Sequence, residues 1–179
     1  MDFAVIGGTG FYALTDDQAA EVMEVTTPYG AVEVDRTRLG GKEIAFLARH
    51  GKAHRLPPHC VNYRANIWAL RELGVRNIFA SAAVGSLSKE MAPGALVALT
   101  QFLDFTRSRP ATFHDGTQER IIHVDMTEPY CPHLRAELQA AATALQEQLL
   151  PQGTYVCAEG PRFETAAEIR MFRKLGGHL

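Results

Sequence analysis

Two strand-like runs, residues 31–38 and 43–48, face each other across Gly40 and Gly41. A glycine pair between such runs signals a tight β-hairpin, because the central positions of the favoured hairpin turns take positive φ. A hairpin this close to the N-terminus argues against a plain alternation of strand and helix. Ahead of it, residues 3–6 form a short apolar run that stops at Gly7, Gly8 and Gly10, which predicts a buried strand entering a tight loop. Beyond it, Pro57 and Pro58 interrupt the chain before residues 62–73. There Ala65, Ile67, Trp68, Ala69, Leu70 and Leu73 predict a substantially buried helix closed by Gly74.

Residues 75–80 and 95–100 fit interior strands, with bends at Gly85-Ser86 and Pro93-Gly94. Pro132 suits a first helical turn, and Leu134, Leu138, Ala141, Leu145 and Leu149 give the helix that follows an apolar stripe. Residues 154–158 predict a short strand, and 164–175 an amphipathic helix ending at Gly176-Gly177. A helix followed by Gly-Gly, His178 and Leu179 is how such a domain enters its next strand, so the connection reads as unfinished. The expectation is one α/β domain over residues 1–179, truncated at its C-terminal side.

With 46% hydrophobic residues, 179 positions can bury the core of one domain. A net charge of -2 with interspersed signs recommends neither nucleic acid nor an anionic membrane as partner. Cys60, Cys131 and Cys157 are odd in number and far apart, which fits reduced thiols rather than a disulfide framework. The opening residues lack the basic and apolar regions of a signal peptide, and no apolar run approaches membrane-spanning length. A soluble, cytoplasmic protein is expected.

Gly8, Gly10 and Ala13 formally match a dinucleotide fingerprint, but residues 12–17 make a poor helix start and the hairpin breaks the expected unit. The P-loop lysine is absent as well. Backbone N–H groups of this loop, with the Thr9 hydroxyl, suit a single phosphate better; a purely structural glycine turn is the alternative. Arg49 and His50 follow a strand, where a guanidinium fork and an imidazole can meet phosphate oxygens, or simply form a solvated turn. His54, Arg55 and His59 share a loop with two prolines and no acidic neighbour, so no metal is assigned. Residues 81–86 are small. They either pack tightly or let backbone donors approach an anion or sugar at the carboxyl end of a strand. Ser81 and Ser86 lack the setting of a hydrolase nucleophile.

Glu159-Gly160-Pro161-Arg162-Phe163-Glu164 forms either a rigid strand-to-helix turn or a ligand surface. The second reading sets Phe163 against a purine ring and Arg162 or a glutamate near a sugar hydroxyl, while Phe163 could equally be core. Cys157 reads as a buried small hydrophobe rather than a nucleophile. Asp104, Arg107, Arg109, His114 and Asp115 suit an active-site border, an oligomer contact or a solvated loop.

Taken together, Ile6-Gly7-Gly8-Thr9-Gly10-Phe11, Thr27-Pro28-Tyr29-Gly30, Ala48-Arg49-His50-Gly51, Val61-Asn62-Tyr63-Arg64-Ala65-Asn66-Ile67-Trp68-Ala69-Leu70, the stretch around Ala83-Val84-Gly85, Glu128-Pro129-Tyr130-Cys131-Pro132 and Glu159-Gly160-Pro161-Arg162-Phe163 resemble the purine nucleoside phosphorylases. Within them, the resemblance is to the S-methyl-5'-thioadenosine phosphorylase branch. It implies a mixed central sheet flanked by helices in three layers, a homotrimer or trimer-based hexamer, and phosphorolysis of a purine nucleoside such as S-methyl-5'-thioadenosine. The products would be free purine and (5-methylthio)ribose 1-phosphate, as in purine salvage. Inorganic phosphate is then a co-substrate, and no cofactor or metal is implied. Thr9, Arg49 and His50 match phosphate-holding residues, and Ala83 a backbone phosphate contact. Phe163 matches the aromatic beside base and sugar, and His123 a residue lent by a neighbouring subunit. Ala82 stands where some relatives have threonine, which removes one hydroxyl contact. The residue assisting the departing base is expected beyond Leu179, so 6-amino and 6-oxo purines are not separated. The alternatives are a 6-oxopurine nucleoside phosphorylase and a catalytically defective purine- or phosphate-binding fragment.

Overall fold

The computed structural model describes residues 1–8, 20–52, 55–117 and 121–179. They form two compact units, residues 1–83 with 110–115, and residues 84–109 with 116–179. The first holds a five-stranded mixed sheet in the order β2-β3-β4-β1-β5. Its strands are β1 (Phe3–Gly7), β2 (Glu21–Thr27), β3 (Gly30–Leu39), β4 (Lys42–Ala48) and β5 (Asn77–Ala80). The expected hairpin is β3–β4: Leu39 faces Lys42, and Gly40 and Gly41 take φ of 55° and 75°, values that suit glycine. β1 runs parallel to both β4 and β5, so three neighbouring strands end at the same edge.

β2 is an element that sequence reading passed over. It pairs antiparallel with β3 as the sheet's edge, and most of its residues stay accessible. Its Glu21, Glu24 and adjacent Val22-Met23 break the alternation that marks a half-buried strand, as an edge strand can tolerate. The main hydrophobic cluster sits on one face of this sheet, while Ile44 and Phe46 of β4 are buried on the other. Val32 and Val34 of β3, Ala45 and Leu47 of β4 and Ala4 of β1 pack with Ala65, Ala69 and Leu70 of helix α1 (Tyr63–Glu72).

Local chemistry fixes both ends of α1. The Asn62 side chain accepts from Ala65 N at 3.1 Å and donates to Tyr29 O at 2.6 Å, capping the helix while tying it to the β2–β3 turn. At the far end Val75 N bonds Leu70 O, Gly74 N bonds Arg71 O, and Gly74 takes φ 77°, a Schellman closure.

The second unit contains two parallel pairs, β6 (Leu96–Val97) with β8 (Leu149–Leu150) and β7 (Gln101–Phe105) with β9 (Thr154–Ala158). The strand expected over 95–100 is therefore only β6, and β7 beyond it was not expected. Ala98 N reaches Leu150 O, whereas Thr100 N and Gln101 N both reach Gly153 O, so the chain changes partner between them. Helix α2 (Pro132–Ala144) ends earlier than its apolar stripe suggests. Gln146 takes φ 56° and closes a Schellman turn, Leu149 lies in β8, and Leu138 and Leu145 are exposed. Helix α3 (Ala166–Lys174) begins two residues after Glu164. Its N-cap is Thr165, with Glu168 completing a capping box. Phe172 of α3 is buried against Phe105, ring centroids 4.9 Å apart. After Gly176-Gly177 the chain runs along β9, with His178 N to Thr154 O at 2.9 Å and Val156 N to Leu179 O at 2.8 Å. This is the strand-like exit expected from the sequence. Among the described residues no helix is long and apolar enough to cross a membrane.

Candidate active site

At the common carboxyl edge of β4, β1 and β5, each strand contributes the residue that follows it: Arg49, Gly8 and Ser81. Ala48 to Gly51 forms a β-turn, closed by Gly51 N to Ala48 O at 2.8 Å with Gly51 at φ 73°. Its two central residues are Arg49 and His50, so the turn presents both side chains together. Arg49 Nη1 donates to Ser81 O at 2.5 Å, and Arg49 N donates to Gly7 O at 3.3 Å. The guanidinium thus spans the edge from β4 to β5, crossing the end of β1. Gly8 makes room for it. A Cβ at position 8 would lie 2.7 Å from Nη2 and 2.9 Å from Nη1.

His50 is buried, only 7% exposed. Its Nδ1 lies 2.8 Å from Leu56 O, while Leu56 N bonds His50 O at 3.0 Å, so side chain and backbone together hold residue 56. A carbonyl only accepts, so Nδ1 carries the proton. Nε2 then accepts from Arg49 Nε at 3.1 Å. A cation with an oriented imidazole beside it at the end of parallel strands is equipped to take an oxyanion.

Of the expected phosphate ligands, Arg49 and His50 are brought into contact. Ala83 lies in the exposed segment just beyond β5, and Thr9 lies outside the described residues. Sequence reading missed two parts of this edge, the Ser81 carbonyl as an arginine anchor and Gly8 as its spacer. Ser81 attracted notice for its hydroxyl and as part of a run of small residues with backbone donors, not for its carbonyl. Neither the Cys residues nor His59 contribute to a metal cluster among the described residues.

In the second unit, Phe163 is 93% exposed. Of its two readings, core and ligand face, the core is thereby ruled out within this unit. Its neighbours are committed elsewhere. Arg162 makes a two-pronged ion pair with Glu168 at 2.8 and 2.7 Å, and its Nη1 also donates to Phe163 O at 3.0 Å. That pairing and the Thr165 N–H hold the Glu168 carboxyl well below its usual range, at about 2. The Glu159 carboxylate accepts from Arg107 N, Ser108 N and Ser108 Oγ, and is lowered chiefly by the Arg107 N–H. Arg162, read from sequence as one of the groups that could approach a sugar hydroxyl, is thus paired to Glu168, and Glu159 faces the 107–109 turn. Glu164 is the acidic side chain of the segment without a hydrogen-bond partner among the described residues.

Cys157 is half-buried, and desolvation raises its thiol pKa despite the opposing Arg109. It fits the expected structural role. His123 is exposed, within a stretch where Ile121, Ile122, Val124 and Met126 are exposed too.

The family model of the phosphorylase superfamily matches residues 2–179. The chain belongs to that family. It is 56% identical to the 6-oxopurine nucleoside phosphorylase of Pyrococcus furiosus, over 98% of this chain and 68% of that protein. It is 47% identical to the S-methyl-5'-thioadenosine phosphorylase of Hyperthermus butylicus, over 97% and 64%. Among solved structures, methylthioadenosine phosphorylase from Schistosoma mansoni in complex with adenine superposes with a TM-score of 0.90 at 33% identity, covering 99% of this chain and 72% of that one. The mixed sheet with flanking helices is thus the nucleoside phosphorylase fold, and the chain spans about two thirds of the length of these relatives.

Proposed function

We propose that this phosphorylase-family chain acts in phosphorolysis of the N-glycosidic bond of a purine nucleoside such as S-methyl-5'-thioadenosine, giving free purine and (5-methylthio)ribose 1-phosphate. The observation that carries the reading is the Arg49–His50 turn, braced against Ser81 O at the edge of three parallel strands and spaced by Gly8. Arg49 holds phosphate by its guanidinium fork, His50 sets the arginine's orientation through Nε2, and Ala83 and Thr9 add donors. As the bond from C1' to the purine nitrogen lengthens, the sugar becomes cation-like and the bonding electrons move into the base. A phosphate oxygen then forms the new bond to C1', its charge offsetting the cation on the way. The departing purine takes up a proton. Phe163, exposed and unclaimed by the core, supplies a face for the base, and Glu164 is the carboxylate left to meet a substrate hydroxyl or amide.

A 6-oxopurine nucleoside is the second substrate reading. It draws on the higher identity to the Pyrococcus furiosus protein, 56% against 47% for the Hyperthermus butylicus one. We place the protein in cytoplasmic purine salvage, with phosphate as co-substrate and no cofactor. A homotrimer or trimer-based hexamer, in which His123 reaches a neighbouring subunit's substrate, would cover the apolar side chains around that histidine. Native mass measurement tests the assembly. The reaction is tested by incubating the protein with S-methyl-5'-thioadenosine, inosine and 5'-methylthioinosine, with and without phosphate. Base release that requires phosphate and that needs far more phosphate in Arg49→Ala is expected; equal release without phosphate refutes phosphorolysis.

A further inference from the structure

The ring of Phe163 has no packing of its own to hold it, so its place is set by the backbone on either side. On the C-terminal side the anchor is the capping box of α3, with Thr165 N donating to Glu168 at 2.7 Å and Arg162 paired to the same carboxylate. The N-terminal side lies at the end of β9, where the ladder with β7 stops at the Phe105–Ala158 pair. Just past that pair, side chains continue the stitching. Arg109, with only 13% of its side chain exposed, donates Nη2 to Ala158 O at 3.0 Å and to Glu159 O at 2.7 Å. Its Nη1 approaches Cys157 Sγ at 3.7 Å, and its Nε lies 3.6 Å from Glu159 Oε1. In return the Glu159 carboxylate accepts the N–H groups of Arg107 and Ser108 and the Ser108 hydroxyl at 2.9 Å. The turn after β7 and the last residues of β9 therefore form one interlocked group, four residues before Phe163.

We infer that Arg109 and Glu159 are positioning residues that fix the Phe163 ring for the purine by clamping the strand end from which its turn departs. Neither needs to touch substrate, since Arg109 Nη2 is given to the Ala158 and Glu159 carbonyls and the Glu159 carboxylate to the 107–108 turn. The inference rests on the reading of Phe163 as the face for the base. A clamp of this kind acts on base binding and leaves the phosphate step alone, because Arg49 and His50 are braced by other contacts.

The experiment is a mutant cycle on the full chain with S-methyl-5'-thioadenosine or inosine, whichever turns over. KM for nucleoside and for phosphate is read in Phe163→Ala, Arg109→Ala, Glu159→Gln and the two doubles with Phe163→Ala. Phe163→Ala should raise the nucleoside KM roughly tenfold, as the loss of an aromatic face under a base does. Arg109→Ala and Glu159→Gln should each raise it severalfold with the phosphate KM unchanged, and should add nothing once Phe163 is gone. Glu159→Gln preserves side-chain volume and carries the test if Arg109→Ala does not fold. An unchanged nucleoside KM in Phe163→Ala overturns the base-face reading and the clamp with it. A raised KM in Phe163→Ala, with no effect of the clamp variants or a fully additive one, overturns the positioning role alone.

Discussion

Replacing Gly8 by alanine isolates the spacing on which the Arg49 site depends. Gly8 carries no positive φ, so the backbone accepts alanine and the cost falls on the guanidinium. A Cβ there would stand 2.7 Å from Nη2, 2.9 Å from Nη1 and 3.0 Å from Cζ. Ordinary contact begins near 3.5 Å, so the group must retreat by roughly 0.8 Å. A displacement of that size cannot keep both the 2.5 Å bond to Ser81 O and the 3.1 Å bond to His50. Hydrogen bonds to a charged group contribute about 1.5–3 kcal/mol each, and about 1.4 kcal/mol is tenfold in an equilibrium constant. Misdirecting the fork should therefore raise the phosphate KM about 10- to 100-fold while the nucleoside KM stays within about twofold. Steady-state kinetics with phosphate varied at saturating nucleoside measures this, and thermal melting should show little change. The decisive arm is Arg49→Ala with and without Gly8→Ala. With no guanidinium to displace, the alanine should be silent. An unchanged phosphate KM in Gly8→Ala, or an equal penalty in the Arg49→Ala background, would refute the steric coupling.

Acid titration should find the Glu168 carboxyl changing protonation near 2, down from the ordinary 4.5. Because its folded pKa is depressed, the stability it contributes is present in full above the ordinary value and is lost as pH falls from about 4.5 toward 2; an NMR midpoint near 4.5 would contradict the paired geometry. Gln146→Gly should stabilise the protein by about 1 kcal/mol, since Gln146 sits at φ 56° where a side chain is strained, and a lowered melting temperature would contradict this. Asn62→Ala removes both the α1 cap and the bond to Tyr29 O, and should cost about 1–2 kcal/mol in urea unfolding; an unchanged midpoint would show that water replaces both partners.

Legibility of this fold in sequence followed how local each determinant is. The β3–β4 hairpin was readable because Gly40 and Gly41 supply the turn conformations themselves, and α1 because Asn62 and Gly74 mark its ends within one turn. The break between β6 and β7 was not. The apolar run from Ala95 to Phe105 is nearly continuous, and the change of partner is dictated by Leu150 and Gly153, about fifty positions later. α2 misled for a related reason. Leu145 and Leu149 continue the helical spacing, but Gln146 ends the helix in a conformation that glycine usually signals.

The candidate site divides the same way. Arg49 and His50 were visible because their functional groups are side chains suited to an oxyanion. The Ser81 carbonyl and the carbonyls that Arg109 grips belong to the backbone, and every residue type offers those, so no pattern could have announced them. Steric exclusion, like the positive φ of Gly40 and Gly41, is a backbone effect that leaves a mark in sequence as a glycine. Gly8 bears that mark. The glycine loop suggested donors for an anion, while the structure adds space for the arginine that meets it. The two roles are compatible, because the guanidinium that Gly8 admits and the backbone N–H groups that a glycine-rich turn offers both favour an oxyanion.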